Sequence, residues 1–370
     1  MIELRQPSAI LLGVGSTARA GEMVRRLGGG RAFLVTTPGM VDRPVLPILE
    51  DSLKREGVEV AVWSRTPAEP EVEELEEAVA AARAARPDVV MGLGGGSALD
   101  LAKLTAMLLV NGGEARDYFG TGKVPQRGLP TVMLPTTAGS GSEVSQDAVL
   151  TDRKAGTKRG TKDLKLVPDC AIVDPDSTRS CPPELTAASG LDALCHAIEA
   201  LANPRADAIC DLYGLEAVRL IVAHLPAAVD DGEDREAREG MARGAMLAGL
   251  AFSPVGTGGV HACGYPLSGM WGLSHGLANG IMLPHVVAYN APACPKYGRL
   301  APILGRDDIA AALADLVVRT GVPPRLREAG VERRSIPAMA EIAACDERHL
   351  SANPRPLTRS DLETIFERAW

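Results

Sequence analysis

Hydrophobic residues in the first half of the chain occur as short runs separated by segments with helical spacing. The runs lie at residues 32–36, 58–63, 89–93, 131–134 and 170–173. Between the second and third runs, residues 71–83 place acidic side chains early and an arginine late, which complements the dipole of a helix. Short apolar strands that alternate with helices are typical of a parallel sheet with crossover helices. The pattern therefore predicts an α/β domain over residues 1–183.

After residue 183 the spacing of apolar residues is helical. This predicts a second, all-helical domain over residues 184–370. The length of 370 residues also favours two domains, since ordinary domains hold roughly 100 to 200 residues.

Composition limits the classes of partner. A net charge of -8 argues against general nucleic-acid binding, which needs a basic surface. The seven cysteines lack C-x-x-C spacing, which favours a reducing compartment. The N-terminus has no signal-peptide core, and no apolar run reaches the roughly 20 residues of a membrane helix. These features predict a cytoplasmic protein with a small-molecule partner, no nucleic acid and no membrane.

A glycine-rich turn follows the third apolar run and leads into a helix. Residues 92–103 are GLGGGSALDLAK. Glycines let the main chain approach an anion, and the N–H groups of a first helical turn attract phosphate. Ser97 and Asp100 have the spacing of a capping box, which predicts that the helix begins there. The segment predicts a phosphate-binding turn, although it lacks the G-x-G-x-x-G spacing of the common Rossmann motif.

A second polar loop follows the next predicted strand. Residues 135–143 are PTTAGSGSE, too rich in hydroxyls and glycines for a helix interior or a packed strand. Open α/β sheets bind ligands where successive strands end. The loop is therefore predicted to form a second wall of the same pocket.

One carboxylate and three imidazoles in the second half have the spacing of metal ligands. Asp192 and His196 stand four apart, on one face of a helix. His261 and His275 stand fourteen apart, which suits one ligand on a helix and another just past a turn. Nitrogen and oxygen donors in this ratio suit iron, zinc, cobalt or nickel better than calcium or magnesium. A divalent metal site is predicted, with the metal left open.

The other three histidines lack a partner at ligand spacing. They are His224, His285 and His349, and they are predicted to be structural.

Four ordered motifs resemble the iron-containing alcohol dehydrogenase family, within the superfamily of glycerol dehydrogenase and dehydroquinate synthase. They are residues 94–103, 135–143, 191–199 and 275–285, and residues 353–358 (NPRPLT) resemble the family's C-terminal segment. The likeness spans nearly the whole chain. It implies a dehydroquinate synthase-like fold, with a Rossmann-like dinucleotide-binding domain over 1–183 and an all-helical metal-binding and substrate domain over 184–370. It also implies a homo-oligomer, a dimer or larger.

The resemblance assigns roles to individual residues. Pyrophosphate contacts match Gly95, Gly96 and Ser97, and the loop near the nicotinamide matches Thr136, Thr137 and Ser140. A cofactor-side lysine matches Lys158, and the four metal ligands match Asp192, His196, His261 and His275. The implied cofactors are Fe²⁺, or Zn²⁺ or another divalent metal, together with NAD(H) or NADP(H).

Two positions depart from the family pattern. Thr37 stands where relatives that prefer NAD often carry an aspartate for the adenosine ribose. The missing carboxylate removes repulsion against a 2′-phosphate, which makes NADP(H) use a hypothesis. Tyr265 stands where many relatives have a further histidine. It is the candidate catalytic residue, whose hydroxyl could bind substrate or pass a proton, and a packing role is the alternative.

The residues and the resemblance together predict a metal-dependent, NAD(P)-linked alcohol dehydrogenase or aldehyde or ketone reductase with a small polar substrate. Hydride would pass to a carbonyl that the metal polarises. The alternatives are a maleylacetate-type reductase, which would favour a dicarboxylate, and a dehydroquinate synthase-like lyase, which regenerates its nicotinamide in each cycle. The Asp-x-x-x-His pair favours the dehydrogenase over the lyase. A nucleotide-binding regulatory protein without catalysis is disfavoured by the four intact ligand candidates.

Overall fold

The chain, analysed as a computed structural model that describes residues 2–154 and 157–370, contains two compact units. The α/β unit comprises Arg5–Thr137 and Gly141–Ser180. The helical unit comprises Ala138–Ser140, Cys181–Trp370 and the short N-terminal segment up to Leu4. The chain therefore passes from one fold to the other after Ser180. The functional assignment of 1–183 and 184–370 as two domains stays a prediction.

The α/β unit is built on a six-stranded parallel sheet. Its strands, with those of a smaller sheet, are β1 (Ala9–Leu12), β2 (Arg31–Thr36), β3 (Glu59–Trp63), β4 (Val89–Gly94), β5 (Gly120–Thr121), β6 (Thr131–Pro135), β7 (Asp147–Asp152), β8 (Thr157–Lys162) and β9 (Cys170–Val173). Its helices are α1 (Ala20–Arg26), α2 (Val45–Arg55), α3 (Val72–Ala85) and α4 (Gly96–Asn111). The main sheet has the order β1-β9-β6-β4-β2-β3. The five predicted runs are strands of this sheet, and the predicted parallel α/β architecture is confirmed.

The central strands are buried on both faces, which explains why they appear in the sequence as continuous apolar runs. Every residue of β4 and β6 is buried. Gly92 on β4 leaves room for its neighbours, since a Cβ there would lie 2.8 Å from Met133 Sδ. Small and large side chains thus interlock between adjacent strands.

The sequence pattern did not predict the smaller sheet, which has the order β5-β8-β7. Strands β7 and β8 pair as an antiparallel hairpin. Strand β7 alternates buried and half-buried residues, whereas β8 has the polar sequence TKRGTK. A polar strand carries no hydrophobic period, so its pairing comes from the main chain.

The helical unit confirms the predicted all-α second half. Its helices are α5 (Pro183–Ala202), α6 (Ala208–Asp230), α7 (Arg235–Phe252), α8 (Gly259–Trp271), α9 (His275–Asn290), α10 (Ala301–Leu304), α11 (Ile309–Arg319), α12 (Ile336–Ala344), α13 (Glu347–Leu350) and α14 (Arg359–Ala369). Helix α5 is buried on every side after its first turn. It is the central helix of the unit's hydrophobic core.

Helices α5 and α9 approach each other closely at a glycine. A Cβ on Gly276 would lie 2.2 Å from the carbonyl oxygen of Ala188 and 3.2 Å from Asp192 Cβ. Only glycine permits this spacing, because real Cβ atoms do not come so near a backbone oxygen. The contact brings the first turn of α9 against the middle of α5.

Among the described residues, one helix has the length and apolar composition of a membrane span. It is α6, and 44% of its most apolar window is buried within the protein. Core helices of globular domains share this composition, so the finding is weak evidence for a membrane span.

Candidate metal centre and cofactor turn

Helix α5 presents three polar side chains toward one buried point. Asp192, His196 and Glu199 are each only 6% exposed. Their spacing of four and three residues puts them on one face of the helix. Burying a carboxylate without partners is costly, so this face needs compensating groups from other helices.

Those groups come from α8 and α9. Oxygens of Asp192 lie 4.0 Å from His196 Nε2, 3.9 Å from His261 Nε2 and 3.7 Å from His275 Nε2. One potential ligand atom each from Asp192, His261 and His275 falls within 4.8 Å of the others. The ring of His196 stacks on His261 with centroids 4.9 Å apart. The structure therefore brings all four predicted ligands together.

The donor set fits a divalent metal ion. His261 Nε2 is buried and has no hydrogen-bond partner within the part of the chain that the structure describes. A buried nitrogen in this condition costs free energy that a metal ion would recover. Three imidazoles and one carboxylate match the ligand chemistry of iron or zinc.

Sequence reasoning missed Glu199, which orients the candidate ligand His261. One carboxylate oxygen accepts a hydrogen bond from the backbone N–H of Val260 at 2.6 Å. The other accepts from His261 Nδ1 at 2.5 Å, so the lone pair of the ring lies on Nε2. A carboxylate behind a histidine fixes its tautomer and raises its basicity as a ligand. The signal was present in the sequence, because Glu199 follows His196 by three residues on the same helix face.

Asn279 is the second residue that sequence reasoning missed. Its amide nitrogen donates to Asp192 Oδ1 at 2.8 Å and lies 3.1 Å from His275 Nε2. It stands four residues after His275 on α9 and is completely buried. Asn279 therefore contacts both the Asp192 carboxylate and the His275 ring and fixes their relative positions.

The charges of the centre are set by these contacts. Burial by itself raises the pKa of Asp192, but the three neighbouring imidazoles and the amide of Asn279 lower it to about 2. Burial likewise opposes ionisation of Glu199, yet the charge and hydrogen bond of His261 leave its pKa below the usual range. Burial lowers the pKa of His261, and Glu199 more than offsets it, so the pKa is raised. Two anions thus flank the candidate ligand His261.

Two further side chains lie beside the ligands. The ring of Tyr265 stacks on His275 at 5.7 Å and meets the edge of His349 at 5.2 Å. His349 also stacks on His261 at 6.0 Å. His349, which was predicted to be structural, therefore lies beside the candidate ligands. The spacing of residues along the sequence could not predict this contact, because only the tertiary fold brings α13 against α8.

The other two histidines are placed differently. The ring of His224 packs against Gly240, where a Cβ would lie 2.1 Å from it. Burial lowers the pKa of His285 to about 4. Neither is grouped with the metal-ligand candidates.

In the α/β unit, the glycine turn leads directly into helix α4. The helix begins at Gly96 with Gly95 as its N-cap, and no side chain caps it. The capping-box prediction for Ser97 and Asp100 is wrong. Asp100 instead accepts hydrogen bonds from Ser142 Oγ at 2.5 Å and from the backbone of Val149 at 2.9 Å. The Asp100 carboxylate therefore forms tertiary hydrogen bonds and does not cap the helix, although its spacing from Ser97 predicted a cap.

The main chain of the glycine turn is not covered by its own side chains. Gly94 has φ +152°, and a Cβ there would lie 2.8 Å from Ala98 Cβ. Ser97 Oγ donates to the carbonyl oxygen of Ala68 at 2.5 Å. The hydroxyl is therefore engaged within the protein, and the N–H groups of Gly96 and Ser97 open the first helical turn.

Other predicted cofactor residues lie around this turn. The backbone N–H of Thr136 donates to Gly94 O at 2.9 Å. Thr137 side-chain atoms lie 3.5 Å from the position of a Cβ on Gly95, and Thr37 Cγ2 lies 3.6 Å from that on Gly94. The glycine turn after β4, Thr37 after β2 and the two threonines after β6 thus meet at the carboxyl ends of three strands.

The remaining two predicted cofactor residues lie elsewhere. On β8, Lys158 Nζ is 2.6 Å from Glu69 Oε2, next to the Ala68 that Ser97 contacts. Ser140 belongs to the helical unit.

A parallel sheet with a glycine-rich turn at a helix start, and a buried candidate centre of three imidazoles and one carboxylate in a helical unit, are features expected of a metal-dependent, nucleotide-linked enzyme. Comparison with known proteins narrows this class.

The family model "Iron-containing alcohol dehydrogenase" matches residues 7–175, and "Fe-containing alcohol dehydrogenase family, C-terminal" matches residues 186–370. The chain is similar to Long-chain-alcohol dehydrogenase 1 of Geobacillus thermodenitrificans (strain NG80-2), at 38% identity over 97% of this chain and 94% of the relative. A crystal structure of a 1,3-propanediol oxidoreductase superposes with a TM-score of 0.97 at 32% identity, covering 100% of both chains. Sulfoacetaldehyde reductase from Bifidobacterium kashiwanohense in complex with NAD⁺ gives a TM-score of 0.91 at 33% identity, covering 100% of this chain and 98% of that one.

The chain belongs to the iron-containing alcohol dehydrogenase family. It is an oxidoreductase that acts on CH–OH groups, with the metal and nicotinamide dependence of that family. The resemblance stated from the motifs and the predicted fold class and enzyme class are confirmed.

Proposed function

We propose that this enzyme reduces small polar aldehydes or ketones, and oxidises the matching alcohols, with a metal held by Asp192, His196, His261 and His275. The arrangement of His261 carries the proposal. Its Nδ1 is bonded to Glu199, and its unsatisfied Nε2 lies 3.9 Å from Asp192 in the protein interior. An imidazole whose unprotonated nitrogen has no partner in the interior is suited to bind a metal ion. Ordinary packing would leave that nitrogen unsatisfied.

Each residue then has a defined task. A divalent cation bound here would act as a Lewis acid on the carbonyl oxygen and stabilise the alkoxide. Glu199 keeps His261 in the ligand tautomer, and Asn279 orients the Asp192 carboxylate. Burial of Asp192, His261 and Glu199 strengthens these electrostatic contacts, because the interior screens charge less than water.

The glycine turn is proposed to bind the cofactor pyrophosphate. The contacts come from the main chain at Gly95, Gly96 and Ser97, since the Ser97 hydroxyl already donates to Ala68. The second loop is proposed to lie beside the nicotinamide half of the cofactor, with contacts from Thr136, Thr137 and Ser140. Lys158 is proposed as a cofactor-side cation that Glu69 holds in place.

Use of NADP(H) beside NAD(H) is proposed from Thr37. It directly follows β2 and carries no charge. Without a carboxylate at this position, a 2′-phosphate meets no repulsion from it. The same site therefore accommodates either cofactor.

The remaining proposals concern the setting of the enzyme. The functional domains are assigned to 1–183 and 184–370, and the protein is placed in the cytoplasm as a homo-oligomer that binds neither nucleic acid nor membrane. Free thiols at all seven cysteines and the net charge of -8 support this assignment.

The test is metal removal and reloading. We expect protein stripped with a chelator to lose NADH and NADPH oxidation against short aldehydes and keto acids, and to regain it with ferrous iron or zinc. Absorbance at the reduced nicotinamide band follows either cofactor, so the rates with NADH and with NADPH are measured in separate assays and compared. A strong preference for NADH would overturn the proposal made from Thr37.

The same experiment separates the alternatives. If no nicotinamide is consumed with any metal, the proposal that short aldehydes and keto acids are the substrates fails. Activity confined to maleylacetate or similar dicarboxylates would instead identify the reductase alternative.

Tyr265 is proposed to present its hydroxyl to the substrate. We expect Tyr265→Phe to lower kcat by roughly tenfold, since one hydrogen bond made in the transition state is worth about 1 to 1.5 kcal/mol. The control is Tyr289→Phe, which removes a hydroxyl that donates to Pro356 O, outside the metal centre. Unchanged kcat in Tyr265→Phe would leave the ring as a packing residue.

A further inference from the structure

The first turn of α8, which leads to His261, is not capped by a side chain of its own N-cap residue. That residue is Gly258, which offers no side-chain acceptor to the helix start. The first N–H groups of a helix have no partner within the helix, and here Gly258, Gly259 and Val260 are all buried. A buried N–H without a partner costs free energy, so this turn needs acceptors from elsewhere in the helical unit.

Two side chains from distant parts of the sequence supply such acceptors. One oxygen of Glu199 on α5 accepts from the Val260 N–H at 2.6 Å, and the other accepts from His261 Nδ1. Asn353 Oδ1 accepts from the N–H of Gly259 at 3.3 Å. The start of α8 is therefore held both by the carboxylate that orients His261 and by the amide of Asn353.

The side-chain amide of Asn353 can face only one way. Its nitrogen donates to Asn290 Oδ1 at 2.8 Å and to the carbonyl oxygen of Arg355 at 2.5 Å. Its oxygen accepts from Asn290 Nδ2 at 2.8 Å in addition to the Gly259 N–H. A backbone N–H only donates and a carbonyl only accepts, so a flipped amide would lose both backbone contacts. Asn353 thus presents a fixed acceptor to α8.

The segment around Asn353 is fastened to the end of α9 and lies close against α8. Arg355 donates to the carbonyl oxygen of Tyr289 at 2.9 Å, and its guanidinium carbon lies 4.0 Å from the centroid of the Tyr289 ring. A Cβ on Gly259 would lie 2.8 Å from Asn353 Oδ1. There is therefore no room for a side chain between the helix start and the amide that holds it.

We propose that Asn353 is a positioning residue of the metal centre. Because Asn353 satisfies the Gly259 N–H, Glu199 keeps one oxygen for Val260 and the other for His261 Nδ1, which leaves Nε2 of that ring unprotonated. Without Asn353, the Gly259 N–H lacks its acceptor, the first turn of α8 shifts, and the bond from His261 to Glu199 weakens. This inference rests on the proposed function, because it takes the metal as held by His261.

The test measures iron affinity against a competing chelator in Asn353→Ala and in the matched control Asn290→Ala. Both variants lose the amide pair between the two asparagines, but only Asn353→Ala loses the acceptor of the Gly259 N–H. We expect iron affinity to fall about tenfold in Asn353→Ala, as for the loss of a group that supports a ligand, and to stay within about twofold of wild type in Asn290→Ala. Melting temperatures should fall in both.

A double-mutant cycle separates positioning from a general loss of stability. Glu199→Gln already lacks the carboxylate through which Asn353 is proposed to act. Adding Asn353→Ala to it should therefore weaken iron binding by less than about twofold, compared with about tenfold in the wild-type background. Additive effects of the two substitutions would show that Asn353 serves only the stability of the unit.

The remaining outcomes are distinct. Equal iron affinity in Asn353→Ala and Asn290→Ala overturns this inference and leaves the proposed function standing. If Asn353→Ala does not fold, Gly259→Ala decides the matter, because its methyl group would displace Asn353 Oδ1, and unchanged iron affinity in that variant overturns the inference as well. A wild-type protein that binds neither ferrous iron nor zinc overturns both proposals.

Discussion

Asp192→Asn is expected to lose most of its bound iron and to lower kcat/KM by about a thousandfold, the worth of the several kcal/mol that a Lewis acid supplies. The substitution keeps the shape of the side chain and an oxygen that can accept from Asn279. It removes the charge that offsets the cation, and a neutral amide is a poorer ligand. Iron per chain by atomic emission and alcohol oxidation rates measure the two effects.

The matched control is Asp211→Asn in the same unit. Asp211 is also buried, and it pairs with Lys296 at 2.7 Å and Arg299 at 2.6 Å. Removing the buried charge that these two cations pair with should lower the melting temperature while iron is retained. Wild-type iron content in Asp192→Asn would remove this residue from the ligand set.

Glu199→Gln is expected to weaken iron binding by roughly 10- to 100-fold without unfolding the protein, as loss of a ligand's supporting carboxylate usually does. The glutamine oxygen can keep the Val260 N–H, which leaves the NH₂ facing His261 Nδ1. The ring then carries its proton on Nε2, the atom that a metal needs unprotonated. Titration of iron against a competing chelator gives the affinity.

Glu143→Gln is the control for this effect. Glu143 is equally buried in the α/β unit, where burial raises its pKa to about 7. Removing its charge should leave iron affinity at the wild-type value. Equal weakening in both variants, or none in Glu199→Gln, would contradict the role given to Glu199.

The fold could be predicted from the sequence where burial of an element requires apolar residues in a recognisable pattern. Strands such as β4 are enclosed on both faces and appear in the sequence as apolar runs. Strand β8 escaped prediction because main-chain pairing holds it while its side chains are polar. The helix start at Gly96 was misplaced because Asp100 bonds to a distant loop instead of the helix end.

The same limit applies to the metal centre. Asp192 and His196 could be predicted from one helical turn, since local geometry alone puts them on one face. Glu199 shares that face, but spacing cannot tell a supporting carboxylate from a ligand. His349 could not be predicted at all, because only tertiary packing of α13 against α8 brings its ring to His261.

The glycine contact between α5 and α9 has a consequence for redesign of this enzyme. With no space for even a methyl group between Gly276 and Ala188, a larger residue at position 276 would push the two helices apart and displace Asp192. Mutational libraries that vary position 276 should therefore yield mostly aggregated or inactive protein. A programme to broaden the range of alcohols oxidised should therefore keep glycine at position 276 and place its diversity at other positions.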